Sequence, residues 1–151
     1  MALLGVAAAE DLKPHEGFKG VRWGASVQDV LKRFPNAYPK PGVSRQREKI
    51  YFAGSYIGTI HVNVRLAFLD DKFAQVKLSF DRQDNEHMVE IFEERYGKAA
   101  KKTSQEVIWQ LNDLYIRLVQ PEGTASITSQ SYLDYDNASR VMAVKEAAKD
   151  L

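Results

Sequence analysis

The sequence predicts an α+β two-layer sandwich, an antiparallel sheet with helices on one face, and three observations carry that expectation. Two stretches, "TIHVNVRLAF" and "AQVKLSF", alternate apolar and polar side chains with the period of a strand. Three other stretches repeat apolar residues at helical spacing. Short turns join the strand-like stretches, which implies antiparallel neighbours. At 151 residues the chain is the size of one domain, enough to bury about two-thirds of its unfolded surface. Residues 10–151 read as that single α+β domain.

Taken in order, residues 1–9, "MALLGVAAA", are apolar and end in small side chains. Ala7 and Ala9 fit the small-x-small pattern before a signal-peptidase cut, so the segment reads as a signal-peptide remnant. The other reading is a short helix or strand packed on the domain. After "EDLKPHEG", Phe18 to Trp23 is expected to be extended and to feed a helix through Gly24. That helix, "SVQDVLKRF", has Ser26 as N-cap and Asp29 placed to return the capping bond. Val27, Val30, Leu31 and Phe34 share one face, and Pro35 ends it. At this junction Trp23 reads as core packing, the alternative being a platform for a ligand.

Residues 35–48, "PNAYPKPGVSRQRE", carry three prolines and Gly42 and are expected to be irregular. Tyr38, Lys40, Arg45 and Arg47 make this loop basic. A short strand, "KIYF", precedes the alternating pair. In the pair, Ile60, Val62, Val64, Leu66 and Phe68 point inward from one strand, and Ala74, Val76, Leu78 and Phe80 from the other. Asp70-Asp71 suits the tight turn between them. The second helix, "NEHMVEIFEERY", is capped by Asp84 or Asn85, carries Met88, Ile91, Phe92 and Tyr96 on one stripe, and stops at Gly97. "EVIWQL" and "LYIRLV" follow, turned by Asn112-Asp113, with Trp109 inward beside Val107 and Leu111. "PEG" then turns into "TASITSQSYL", and a third helix starts near Asn137 with Val141, Val144, Ala148 and Leu151 on one face. The order is β-α-β-β-β-α-β-β-β-α, which suggests a duplicated α-β-β-β unit.

The opening "F-x-G-V-x-W-G-x-S-x-x-x-V", a helix ending "YGK", the strand "VIWQ" and a late "YLDYDN" form a joint pattern. Its residues here are Phe18, Gly20, Trp23, Gly24, Ser26, Tyr96, Gly97, Trp109, Tyr132 and Tyr135. The pattern resembles small exported bacterial α+β domains of unknown function. The resemblance implies an α+β fold and an exported, periplasmic location, with the cytoplasm as the alternative. It implies no activity, and with no cysteine in the chain there is no lipobox.

Composition narrows the functions. Lysine plus arginine number 21 and aspartate plus glutamate 20, a net charge of +1, which argues against nucleic-acid binding or membrane-surface binding by bulk charge. No stretch approaches the ~20 apolar residues of a membrane span. The absence of cysteine removes disulfides, thiolate metal sites and a thiol nucleophile. His87 and Glu90 stand at i, i+3, a spacing able to hold a metal, without a third ligand nearby. "GSYIG" at 54–58 matches no nucleotide or hydrolase motif. The pairs Asp70-Asp71 and Glu93-Glu94 read as turn and helix surface, and "NAS" at 137–139 as a chance sequon. No cofactor and no metal are expected, and a non-enzyme is the expected class. A hydrolase would need residues that converge only in three dimensions.

What remains is the outward sheet face. Alternation collects His61, Asn63, Arg65, Gln75, Lys77, Ser79, Tyr115, Arg117, Ser126, Thr128 and Gln130 there. His61, Arg65, Lys77, Tyr115 and Arg117 are the candidate binding residues, with Tyr38, Arg45 and Arg47 from the loop; arginine and tyrosine are enriched at interface hot spots. A solvated sheet face and a solvated loop are the bland alternatives. The sequence therefore points to a non-catalytic interaction module of the cell envelope, a monomer or weak homo-oligomer that binds a protein or a polar ligand. The second reading is a small-molecule carrier with a pocket between sheet and helices, lined by Phe52, Phe68, Phe80, Phe92 and Trp109.

Overall fold

The computed structural model describes residues 11–151; the expectation for residues 1–9 lies outside them. The chain forms a hairpin of β1 (Gly17–Phe18) and β2 (Val21–Arg22), then α1 (Val27–Arg33). β3 (Tyr38–Pro39), β4 (Glu48–Ile57), β5 (Ile60–Leu69) and β6 (Lys72–Ser79) follow. After α2 (Asn85–Tyr96) come β7 (Lys101–Lys102), β8 (Glu106–Leu111), β9 (Leu114–Val119) and β10 (Thr124–Ser129), and α3 (Gln130–Ala148) closes the fold. β3 to β10 build one antiparallel sheet in the order β3-β4-β5-β6-β10-β9-β8-β7. The fold is α+β. Each half is a helix, a two-residue edge strand and a three-strand meander, and the halves join where β6 pairs with β10 at the centre.

The inner face holds the main core. Val62, Val64, Leu66 and Phe68 of β5 meet Val76 and Leu78 of β6, Val107 and Trp109 of β8, and Ile116 and Leu118 of β9. α1 contributes Val30 and Phe34, and α2 contributes Met88, Val89 and Phe92. Several of these side chains are wholly inaccessible, and each such burial stabilises by about 1.5–3 kcal/mol relative to exposure. Trp109 donates from Nε1 to the Gly97 carbonyl at 2.8 Å and packs 5.6 Å from Phe92, so the glycine that ends α2 also holds β8.

Several local expectations are corrected. Phe18 to Trp23 is a hairpin rather than one strand, because Lys19 and Gly20 both take positive φ, 49° and 78°, the geometry of a two-residue type I′ turn. Trp23 follows it, stacked on Phe73 at 4.7 Å and packed against the core. Ser26 caps α1 by accepting from the Asp29 amide; the Asp29 carboxylate pairs with Lys32. The irregular loop contains β3, where Pro39 is tolerated because the strand is an edge. No side chain of Asp84 caps α2; Asn85 instead donates to the Gln120 carbonyl. On β6 the inward residue after the turn is Phe73, since a bulge opposite Ala67–Phe68 leaves Ala74 without a partner and turns it to the other face.

The largest difference concerns the last helix. It begins at Gln130, directly after Ser129, and not near Asn137. α1 and α2 cover the inner face, whereas the first turns of α3 lie on the outer one. There Tyr132 and Tyr135 pack over Ile50, Phe52, Ala67, Leu69 and Ala74. Val141, Met142 and Val144, further along, are all more than half exposed, so the apolar face expected for the end of the helix covers nothing among the described residues. No helix among the described residues is long and apolar enough to cross a membrane.

Candidate functional site

The site is built on strand register. Pairings across the sheet set Tyr38, Phe52, Arg65, Lys77, Ser126 and Arg117 in one row of direct neighbours on the outer face. Arg65 and Lys77 stand opposite one another, an arrangement that destabilises a sheet when nothing lies between the charges. Arg65 donates to Gln75 Oε1 at 3.1 Å, and Gln75 in turn donates to Thr128 Oγ1 at 3.0 Å. Neither Arg65 nor Lys77 has an ion pair with a carboxylate among the described residues. Arg117 differs, donating to Glu106 Oε2 at 2.6 Å, with Lys101 on the same carboxylate at 3.0 Å. The Arg117 and Lys101 contacts hold the Glu106 carboxyl below its ordinary range.

Above this row stands a clamp formed by the loop and α3. Arg45 reaches Glu48 Oε2 at 2.9 Å, Asp136 Oδ1 at 2.9 Å and the Tyr132 hydroxyl at 3.0 Å. Tyr132 donates its own proton to Glu48 Oε2 at 2.5 Å. The Arg45 guanidinium also lies 4.8 Å from the Tyr135 ring centre, within cation–π range, and the Tyr135 hydroxyl donates to the Gln46 carbonyl. Burial pushes the Glu48 carboxyl up, but the hydrogen bonds from Arg45 and Tyr132 outweigh it and the group titrates below its ordinary range. Burial and the neighbouring carboxylate raise Tyr132.

Clamp and row enclose a concavity of about 470 Å³, lined by Arg45, Arg65, Lys77, Arg117 and Ser126, with Asp136 and Tyr132 on the clamp side and Glu122 beside Arg117. A second concavity of about 430 Å³ adjoins it, lined by Tyr38, Phe52, Asn63 and Ser79, and Arg65 and Lys77 belong to both. The outer face thus carries a continuous trough, aromatic at one end, with Arg65 and Lys77 in its middle; Arg65 lies near enough to Glu48 and the Tyr132 hydroxyl to act on both, and Lys77 has no ion pair among the described residues.

Of the sequence-derived candidates, Arg45, Arg65, Lys77, Arg117 and Tyr38 come together in this trough. Three do not. His61 stands beyond it, edge-on to Tyr56 at 5.3 Å. Tyr115 is half-buried, one row away between Thr128 and Gln110. Arg47 is turned aside into a two-bond pair with Asp70 at 2.6 and 2.9 Å. Gln130, expected on the sheet face, opens α3 instead. The alternation argument missed Glu48, Phe52 and Asp136. Their signals are visible in hindsight as Glu48 three residues after Arg45, and tyrosines at i, i+3 in "YLDYDN".

The aromatic set proposed for an internal pocket is divided. Phe52 lies on the outer face, while Phe68, Phe92 and Trp109 are packed solid on the inner one. An apolar groove of about 220 Å³ does run beside α2, lined by Phe18, Ile91, Phe92 and Tyr96, smaller than the roughly 300–1,000 Å³ of ordinary ligand sites. His87 and Glu90 are exposed on α2. No group of three or more potential ligand residues is placed to hold a metal among the described residues. Comparison with family models, curated proteins and solved structures finds no match to this chain.

Proposed function

We propose that the protein is a non-catalytic interaction module of the bacterial cell envelope, which binds a protein partner on the outer face of its sheet. The observation that carries the reading is the Arg65–Lys77 pair at the floor of the trough. A face kept only for solubility gains from alternating charges, and two like charges set opposite each other lose stability. Gln75 and Glu48 act on Arg65, while Lys77 has no ion pair among the described residues and is left for an incoming group. The trough around them is shaped by the Arg45–Glu48–Tyr132 clamp, so the surface is held in place before any partner arrives. The envelope location rests on the resemblance carried by Trp23, Tyr96, Trp109 and Tyr135.

The test is co-purification from envelope extracts of cells that express either the wild-type protein or the Lys77→Glu, Arg117→Glu double variant. Both side chains are exposed, so the variant is expected to fold, with a melting temperature lowered by the loss of the Arg117–Glu106 pair, and the fold is checked by circular dichroism before retention is compared. A partner held by the wild type and released by the variant is the expected result. Undiminished retention by the variant overturns the reading.

A further inference from the structure

The shape of the trough also specifies what fits it. We infer that it receives an extended segment of the partner polypeptide, which crosses the strands and carries an acidic side chain two residues from an aromatic or bulky apolar one. The inference rests on the outer face being the working surface. From Tyr38 on β3 to Arg117 on β9 the row crosses five interstrand steps, roughly 24 Å at about 4.8 Å each. That length is too great for one small anion and matches about seven extended residues at ~3.4 Å per residue.

The chemistry along the row is graded. Tyr38 is 57% exposed and its ring lies 5.9 Å from that of Phe52, an open aromatic shelf able to take an apolar side chain. Arg65 and Lys77 come next; neither makes a direct ion pair among the described residues, and Glu48 interacts with Arg65 but not with Lys77. The point midway between them is one and a half strand steps from Phe52, about 7 Å, the rise of two extended residues. Residues i and i+2 of an extended segment also face the same way. Beyond them Ser126 and Thr124 offer hydroxyls, and Arg117, already paired with Glu106 and with Glu122 near it on the same wall, asks for no further charge. The unmet demand is therefore one carboxylate beside Lys77, on its Arg65 side, with an apolar neighbour on the Tyr38 side.

A seven-residue peptide of serine and glycine, with phenylalanine at its second and glutamate at its fourth position, tests this by amide chemical-shift titration. The expected result is saturable shifts at Phe52, Arg65 and Lys77. Affinity should fall about three- to fivefold on Lys77→Ala, on replacing the glutamate by glutamine and on raising the salt, the scale of one exposed ion pair. Tyr38→Ala should weaken it too. Binding that ignores Tyr38 and is reproduced by succinate or inorganic phosphate overturns the inference in favour of a small-anion site. So does the absence of shifts at these residues at millimolar peptide. If the peptide fails while a native partner is still lost on charge reversal, only the segment chemistry is wrong; if retention is indifferent to charge reversal, the outer face itself is not the working surface.

Discussion

Glu48 is the side chain on which loop, sheet and last helix meet. Only 4% of it is accessible, and it accepts from Arg45 and from Tyr132. A buried carboxylate is tolerated only with such partners, so removing one should be felt. Tyr132→Phe is expected to cost about 1–2 kcal/mol, a fall of about 2–8 °C in melting temperature for a chain of this size. Because the folded-state titration of Glu48 is depressed, its contribution to stability is complete above the unfolded carboxylate value, about pH 4.5. The contribution is lost as the pH falls through the lower folded value. Stability should therefore fall more steeply as the pH drops below about 4.5 in the wild type than the remaining carboxylates alone would make it, and Glu48→Gln should flatten that part of the pH profile. An unchanged profile would deny Glu48 this role. At this scale the sequence was half legible. Arg65, Lys77 and Arg117 are found by counting alternate residues. The joining of Arg45 to them is not, because it depends on a tyrosine 87 positions away.

Among elements, turn chemistry was the most readable part and strand ends the least. Asp70 and Asp71 both take positive φ, 51° and 64°, as the two-residue hairpin demands. Glycine fits the second of these positions without strain, and the ion pair of Asp71 with Lys49 is exposed on both sides. Asp71→Gly is therefore expected to leave stability unchanged or raise it by about 0.5–1 kcal/mol, read from denaturant midpoints. The bulge at Ala74 was invisible to a period-two count, which has no means of representing one extra residue. The same limit hid the start of α3, where the strand's Ile127 and Thr128 run into Gln130 with no loop between. Beyond Arg140 that helix has no buried residue, and an isolated helix of this length is marginal in water. Amides of residues 141–148 are expected to exchange with deuterium within seconds, while those of 133–136 are protected by the packing of Tyr132 and Tyr135. Equal protection along α3 would mean that its end is covered.

For the molecule as a whole, the fold class follows from patterns that the sequence states openly: two alternating strands, amphipathic helices and short turns. The duplicated layout was readable from element order alone, and its meeting line, β6 against β10, was not, since nothing local says which strands of two meanders become neighbours. Trp109 anchors the second half to its helix through Gly97 and Phe92. Trp109→Ala is expected to cost about 3–5 kcal/mol, a large share of the roughly 5–15 kcal/mol such a domain possesses, and to lower the melting temperature by about 10 °C or more.

The two faces of the sheet divide the labour of the molecule: one is packed under α1 and α2, and the other holds an open trough. Site-specific photo-cross-linking in living cells tests that division most directly. A cross-linkable residue at Ser79 would sit at the wall of the trough, and one at Gln28 on the exposed side of α1. A discrete adduct from position 79 that disappears when Lys77→Glu is added, with none from position 28, is the result the account predicts. Adducts from position 28 alone, or an adduct at 79 that ignores Lys77→Glu, would contradict it.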